Sequence, residues 1–202
     1  MICWNLVSTA RGSLPGARAE AVRGAARGVD DAVFLHVGRR MGAALIIDGK
    51  VHRGFGAASG EIAMLPQARW FDASEHLQRC AIIPEGVPPA DAAGYTLAAA
   101  RAGDPVALAA VDRYVDDLAV GTSAMVLLLD PQVVVLGGGF SRSADVLLPR
   151  LRDRLERACM RLPDLRASAL GDECVVTGAI DHAVAHLDDQ HFTPDAPLPA
   201  PR

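Results

Sequence analysis

Three consecutive glycines, Gly137–Gly139, are the strongest candidate for chemistry in this sequence. They follow the β-branched run Val133–Val135 and precede a segment with helical periodicity. Glycines at a strand-to-helix turn let the backbone approach a ligand closely, and the start of a helix offers free N–H groups and a positive dipole to a phosphate. A tight turn that binds nothing has the same composition, so both interpretations stay open at this point.

A second pair of glycines, Gly38 and Gly42, encloses Arg39 and Arg40 between two strand-like segments. A loop of this kind could hold a phosphate, but a phosphate cradle normally keeps these positions small. Two long arginine side chains therefore favour an ordinary hairpin loop.

A carboxylate at Gly60–Glu61 lies in a stretch of very small residues. Close to other backbone, the Glu61 side chain could accept hydrogen bonds from sugar hydroxyls. It could equally be an acid in the first turn of a helix, where the helix dipole favours negative charge. Composition does not separate these two roles.

The elements that position these residues are predicted by apolar patterning and turn chemistry. We predict strands over residues 32–37, 43–47 and 50–53. Asp48-Gly49 between the last two predicts a type I′ hairpin turn, so the three strands should form an antiparallel meander. A helix is expected from Pro105, with Asp104 as N-cap, to about Leu129, and a strand from residue 132 to 136.

Short helices are predicted near both ends of the chain. Gly12, Pro15 and Gly16 are expected to break any early helix and to leave a short one over residues 17–26. Cys174–Val176 reads as a last short strand that leads through Thr177-Gly178 into a final helix to about residue 187.

Composition excludes several classes of protein. The chain has 202 residues, of which 50% are hydrophobic and 22% charged, and a formal charge of −4, so it can bury a core and lacks the basic surplus typical of DNA-binding modules. No apolar run is long enough for a membrane helix, and no secretory signal is recognised, so we expect a cytoplasmic protein. The four cysteines are far apart, and His182 and His186 lack the glutamate of a zinc-protease motif, so no metal site is expected.

Several segments together resemble the C-terminal half of the ROK (repressor, ORF, kinase) family. They are residues 27–38, the hairpin Ile47-Asp-Gly-Lys-Val-His-Arg-Gly, Ala58-Ser-Gly-Glu-Ile-Ala, residues 129–139, and Ser168-Ala-Leu-Gly with Val176-Thr-Gly-Ala-Ile. The resemblance covers about residues 19–187. It implies an α/β fold, the C-terminal lobe of the actin/hexokinase-like (ribonuclease H-like) ATPase fold, with a mixed sheet that contains the antiparallel meander.

The resemblance also implies roles for the candidate residues. Gly137, Gly138 and Gly139 match the loop that approaches the adenosine end of ATP, and Gly38 and Gly42 match the second phosphate loop, which is normally Gly-Thr-Gly-x-Gly. Gly60 and Glu61 match the motif whose glutamate holds a sugar hydroxyl.

Departures from the family pattern argue against catalysis. Arg39 and Arg40 replace the threonine and middle glycine of the phosphate loop, and Met64 replaces a histidine that binds zinc and sugar. The cysteine-rich zinc segment is replaced by residues 67–75, and Gly12 stands where the catalytic aspartate is expected. Glycine cannot deprotonate a sugar hydroxyl, so no catalytic residue is assigned, the nucleotide-binding glycines are regarded as vestigial, and kinase activity is not expected.

The glutamate motif reads Gly-Glu-Ile-Ala-Met-Leu-Pro at residues 60–66, without the zinc-binding histidine. This motif, together with Ala-Arg-Ala-Gly-Asp-Pro at residues 100–105, looks most like the ROK transcriptional regulators of actinobacteria. We therefore expect residues 1–28 to be a diverged remnant of the region between lobes, residues 29–188 to be the C-terminal lobe, and residues 189–202 to be a disordered tail.

The expected function is that of a sugar-sensing and dimerising effector domain without its DNA-binding part. A remnant of a sugar kinase and a degenerate scaffold fragment are the alternatives. The expected partners are a small sugar or sugar phosphate and a second copy of the chain, without direct nucleic-acid or membrane binding. No cofactor is expected: a zinc site is absent from the pattern, and ATP binding is doubtful.

Overall fold

The computed structural model describes the backbone of residues 3–191 and the side chains of residues 13–184 except residues 172 and 182. The strands in this part of the chain are β1 (Ala32–His36), β2 (Gly42–Ile47), β3 (Lys50–His52), β4 (Val133–Gly137) and β5 (Asp164–Ala167). The helices are α1 (Cys3–Arg23), α2 (Glu75–Gln78), α3 (Ala92–Arg101), α4 (Pro105–Leu129), α5 (Ala144–Ala158) and α6 (Cys174–His191).

The five strands form one mixed sheet in the order β3-β2-β1-β4-β5. β1, β2 and β3 are antiparallel neighbours, whereas β4 pairs parallel with both β1 and β5. This is the α/β architecture expected from the sequence, with the antiparallel meander on one side of the sheet.

The sheet is covered on both faces. Alternate residues of β1 point in opposite directions: Val33 and Leu35 join a large core with α4 and α5, and Phe34 joins a smaller core with α1 and the start of α6. Because both faces are apolar, the central strands read as continuous hydrophobic runs.

The turn between β2 and β3 follows from its two residues. Asp48 and Gly49 both have positive φ, 52° and 70°, as a type I′ turn requires. The predicted hairpin is therefore confirmed.

Helix α4 begins where its capping residue predicts. The Asp104 carboxylate accepts hydrogen bonds from the backbone N–H groups of Val106 and Ala107, both at 2.9 Å, and Pro105 occupies the first turn. These bonds satisfy donors that have no partner within the helix.

Loss of this cap gives the first testable prediction. Asp104→Ala is expected to lower the free energy of unfolding by about 1 kcal/mol, because two N–H groups lose their acceptor. Asp91→Ala is the matched control, since Asp91 is at the N-cap of α3 and its side chain makes no capping hydrogen bond. Urea denaturation of both variants measures the difference, and equal losses would contradict the assigned cap.

The prediction that the first helix is broken is wrong. α1 is continuous from Cys3 to Arg23 with Pro15 inside it, and Gly12 lies within it. The small residues have a packing reason: a Cβ added at Gly16 would lie 2.8 Å from the ring of Phe34. Packing against the sheet and α6 therefore outweighs the low helix propensity of this segment.

The expected strand at Cys174–Val176 is also wrong. These residues begin α6, and the last strand is β5, ten residues earlier in the chain. Cys174, Gly178 and Asp181 are buried at helical spacing, and Asp181 pairs with Arg23 of α1. The β-branched pair Val175-Val176 favours a strand locally, but the helical face packed on α1 decides the conformation.

The chain termini extend beyond the described part. Residues 189–202 were expected to form a disordered tail. The first three of these residues belong to α6, and residues 192–202 lie outside the described part of the chain. None of the described helices combines the length and the apolar character needed to cross a membrane.

Candidate functional site

A cavity of about 1320 Å³ opens beside the carboxyl ends of β1 and β4. The carboxyl end of parallel strands is where ligands bind in open α/β sheets. The loop before α5, the β1–β2 loop and the amino-terminal half of α3 form its walls. Its lining includes His36, Arg39, Arg40, Tyr95, Phe140 and Arg142.

The three glycines after β4 have different reasons to be glycine. A Cβ on Gly137 would lie 2.5 Å from the Phe34 ring, and Gly138 has a φ of 88° and lies against the carbonyl of Val37. Gly139 has open space around its position and lines the cavity. Packing thus accounts for Gly137 and Gly138, and within this triplet Gly139 is the residue placed to meet a ligand.

The β1–β2 loop places two cations at the cavity. Arg39 and Arg40 are exposed and line it together with Gly38, whereas Gly42 is buried as the first residue of β2 and pairs with His36. The Arg39 carbonyl accepts a hydrogen bond from the Ser74 hydroxyl at 3.0 Å. The wall of the cavity at this loop therefore includes two long charged side chains beside Gly38.

His36 is a cavity residue that the sequence analysis left unassigned. Its Nδ1 atom is buried without a hydrogen-bond partner among the described residues, and burial lowers its pKa. Burial therefore favours the neutral form of the imidazole, whose Nδ1 atom lies beside Gly138. The signal in the sequence is a polar residue at the end of an apolar strand, immediately before a glycine loop.

Gly60 and Glu61 lie against the start of β2. Gly60 has a φ of 83°, and a Cβ there would lie 2.6 Å from the carbonyl oxygen of Ala43. Glu61 precedes a short 3-10 turn, residues 62–64, but its side chain makes no capping hydrogen bond to it. Glu61 is half-buried and outside the lining of the cavity. Of the two roles considered for Glu61, the geometry therefore does not show the helix cap.

Burial raises the pKa of the Glu61 carboxyl. Ionisation is therefore harder in the folded than in the unfolded chain, and the charged form lowers stability at neutral pH. Glu61→Gln is expected to melt at a higher temperature than the wild type at pH 7. The difference should vanish below about pH 4, where the carboxyl is protonated in both states.

Thermal melts in the absence of sugar, taken from pH 3 to pH 8, measure this effect. Glu85→Gln, at an exposed loop position, controls for the loss of one negative charge. A stabilisation by Glu61→Gln that stays constant over the whole pH range would contradict the role of burial.

Among the described residues, no group of three or more His, Cys, Asp or Glu side chains could hold a metal ion. Met64 is half exposed. Cys80 and Cys174 are buried, and Cys159 is partly buried. The side chains of His182 and His186 lie outside the described residues.

The sequence profile of the ROK family matches residues 14–81 and 85–185. The chain belongs to the ROK family. N-acetylgalactosamine kinase AgaK from Shewanella sp. (strain ANA-3) is 30% identical over 185 residues, which are 81% of this chain and 60% of that protein. The chain therefore spans less than two thirds of the length of this relative.

Solved structures agree on the fold of this ROK protein. A ROK family glucokinase from Streptomyces griseus in complex with glucose and AMPPNP matches with a TM-score of 0.71 at 23% identity, over 85% of this chain and 66% of that one. A ROK family transcriptional regulator, a homologue of the E. coli MLC protein, matches with a TM-score of 0.62 at 18% identity, over 83% of this chain and 49% of that one. A kinase and a regulator thus share this architecture.

Proposed function

We propose that this ROK chain is the sugar-sensing half of a regulator and that it does not transfer phosphate. The observation that carries the proposal is the pair Arg39 and Arg40 at the cavity wall. Their loop corresponds to the phosphate loop of the family, where small residues let the backbone approach the phosphate. Side chains in that position remove the close backbone contacts on which phosphoryl transfer depends for positioning.

Sugar binding is supported by the geometry of Gly60 and Glu61. The close contact of Gly60 with Ala43 fixes where the chain turns, and Glu61 follows directly with a carboxylate that makes no helix cap. A partly buried carboxylate that accepts hydrogen bonds from hydroxyl groups is a suitable sugar ligand, because charge-assisted hydrogen bonds are stronger than neutral ones.

The glycine at position 12 supports the non-catalytic half of the proposal. Gly12, at the position that corresponds to the catalytic aspartate of the family, lies in α1. A glycine has no group to accept the proton of an attacking hydroxyl.

Thermal shift with D-glucose, N-acetyl-D-glucosamine and N-acetyl-D-galactosamine tests sugar binding. A sugar at 100 times its Kd should stabilise the folded chain by about 2.7 kcal/mol. The shift is expected to disappear in Glu61→Ala and to persist in Glu85→Ala, the exposed control. No shift with any of the sugars would overturn the sensing role for these ligands.

A sugar kinase is the second candidate, and the similarity to AgaK over 81% of the chain favours it. A coupled assay for ADP production with the same three sugars separates the two candidates. We expect no turnover above background. Turnover in the range of about 1–100 s⁻¹, typical of kinases, would establish the kinase and refute the regulator.

A further inference from the structure

Asp117 is a buried acid in the middle of α4. Its Oδ2 atom lies 3.0 Å from Nε2 of His76, and its Oδ1 atom lies 3.7 Å from Nε of Arg69. Its backbone carbonyl accepts a hydrogen bond from the Trp70 indole at 3.1 Å. One residue of α4 thus contacts three residues of a single stretch of chain, residues 61–78, hereafter the 61–78 segment.

The 61–78 segment has little regular structure of its own. It consists of two 3-10 turns, the four-residue α2 and connecting loops, and none of its residues lies in a strand. No ladder of backbone hydrogen bonds therefore holds it to the sheet. Its position depends on side-chain contacts, which include those of Asp117 and of the buried Trp70.

The same segment contacts both parts of the candidate site. Glu61 is its first residue, and Ser74 near its other end donates a hydrogen bond to the carbonyl of Arg39. Gln78 in turn donates to the Ser74 hydroxyl at 2.8 Å. A shift of the segment would therefore move Glu61 and the β1–β2 loop together.

Burying a carboxylate at position 117 lowers stability unless hydrogen-bond or ion-pair partners compensate for its desolvation. Its neighbours on α4, Tyr114 and Leu118, are fully buried, so an apolar residue would suit the packing of this turn. Desolvation of a charge costs free energy that only well-placed partners offset, and in some proteins such pairs are retained because they enforce one geometry. Here the partners are Arg69, which directly precedes Trp70, and His76, which lies in α2.

We propose that Asp117 is a positioning residue: it fixes the 61–78 segment on α4 and thereby sets the places of Glu61 and of the Arg39 backbone. The consequence for sugar affinity rests on the proposed role of Glu61. The consequence for the order of the segment does not, because it concerns the unliganded chain.

Hydrogen exchange of the full chain measures the order of the segment directly. Asp117→Ala should raise exchange at least tenfold in peptides covering residues 61–65 and 36–42, and Asp117→Asn, which keeps an acceptor for His76, should give a smaller increase. Asp116→Ala is the matched control: it is one residue away, exposed, and pairs with Arg154 at 2.9 Å. It should leave both peptides unchanged.

Exchange that rises only in residues 69–76, with residues 61–65 and 36–42 unchanged, would overturn the positioning role. If Asp117→Ala does not fold, His76→Gln, whose side chain lies nearer the surface, gives the same readout. A purely structural contribution would raise exchange throughout the core, including α5, instead of in these two peptides.

The affinity for D-glucose, measured by calorimetry, tests the functional consequence. Asp117→Ala should weaken it at least tenfold, Asp117→Asn should restore part of the loss, and Asp116→Ala should have no effect. If the wild type binds no sugar, the proposed sensing function fails while the exchange data still decide whether Asp117 positions the segment. Sugar affinity that is unchanged in both Asp117 variants would contradict the proposal.

Discussion

Gly178→Ala is expected to lower the free energy of unfolding by about 3 kcal/mol, at the upper end of what overpacking costs. A Cβ added at Gly178 would lie 1.7 Å from the carbonyl oxygen of Pro15 and 2.4 Å from its carbonyl carbon. Both are backbone atoms of α1, so no side chain can rotate away. The two helices would have to separate, and the apolar contacts between α1, α6 and the sheet would be lost with them.

Gly94→Ala provides the matched control for this substitution. Gly94 lies in α3, and a Cβ there meets nothing within 4 Å. It should stabilise the protein by about 0.5–1 kcal/mol, because alanine loses less backbone entropy than glycine in a helix. Urea denaturation measures the change in the free energy of unfolding for both variants, and we expect the two changes to have opposite signs. A Gly178→Ala variant as stable as the wild type would contradict the close contact between α1 and α6.

Trp70→Ala is expected to cost about 3–5 kcal/mol, the usual range for removal of a large buried aromatic side chain. Trp70 is 2% exposed, and its ring lies directly against Gly121 of α4. The substitution leaves a cavity and removes the indole hydrogen bond to Asp117. Phe71→Ala, at the adjacent and 58% exposed position, controls for the loss of an aromatic ring and should change stability by less than about 0.5 kcal/mol.

The contact between Trp70 and Gly121 allows a sharper test. A Cβ added at Gly121 would lie 2.7 Å from the indole ring, so Gly121→Ala should destabilise the wild type by about 1–3 kcal/mol. In the Trp70→Ala background the same change meets no ring and should stabilise α4 by up to about 1 kcal/mol. Denaturation of the four proteins completes the cycle, and additive effects would show that the two residues do not pack together.

Local chemistry explains which elements the sequence predicted correctly. The Asp48-Gly49 turn needs two residues that tolerate positive φ, and the start of α4 needs an acceptor for its free N–H groups, which Asp104 supplies. Neither requirement depends on distant parts of the chain. For the same reason β4, a β-branched run that ends at glycine, was predicted within one residue at each end.

The errors occurred where distant contacts outweigh local preference. Pro15 and Gly16 disfavour a helix, yet α1 continues through them because small residues there allow close contact with α6 and Phe34. Val175 and Val176 favour a strand, yet they lie in α6, whose buried face packs on α1. β5 carries only one well-buried apolar residue, Leu165, so its pattern was too weak to predict.

For the candidate site, residue types alone identified the glycine loops and the carboxylate of Glu61 as candidates. The missing side chain of glycine and the negative charge of glutamate do not depend on neighbouring residues. Only the tertiary structure decided which of the candidate glycines line the cavity, and that His36 and three arginines line it as well. It also brought Asp117 to His76 and Arg69, which are 41 and 48 positions away in the chain. Such pairings depend on how α4 packs, and packing is a property of the whole core that no short stretch of residues encodes.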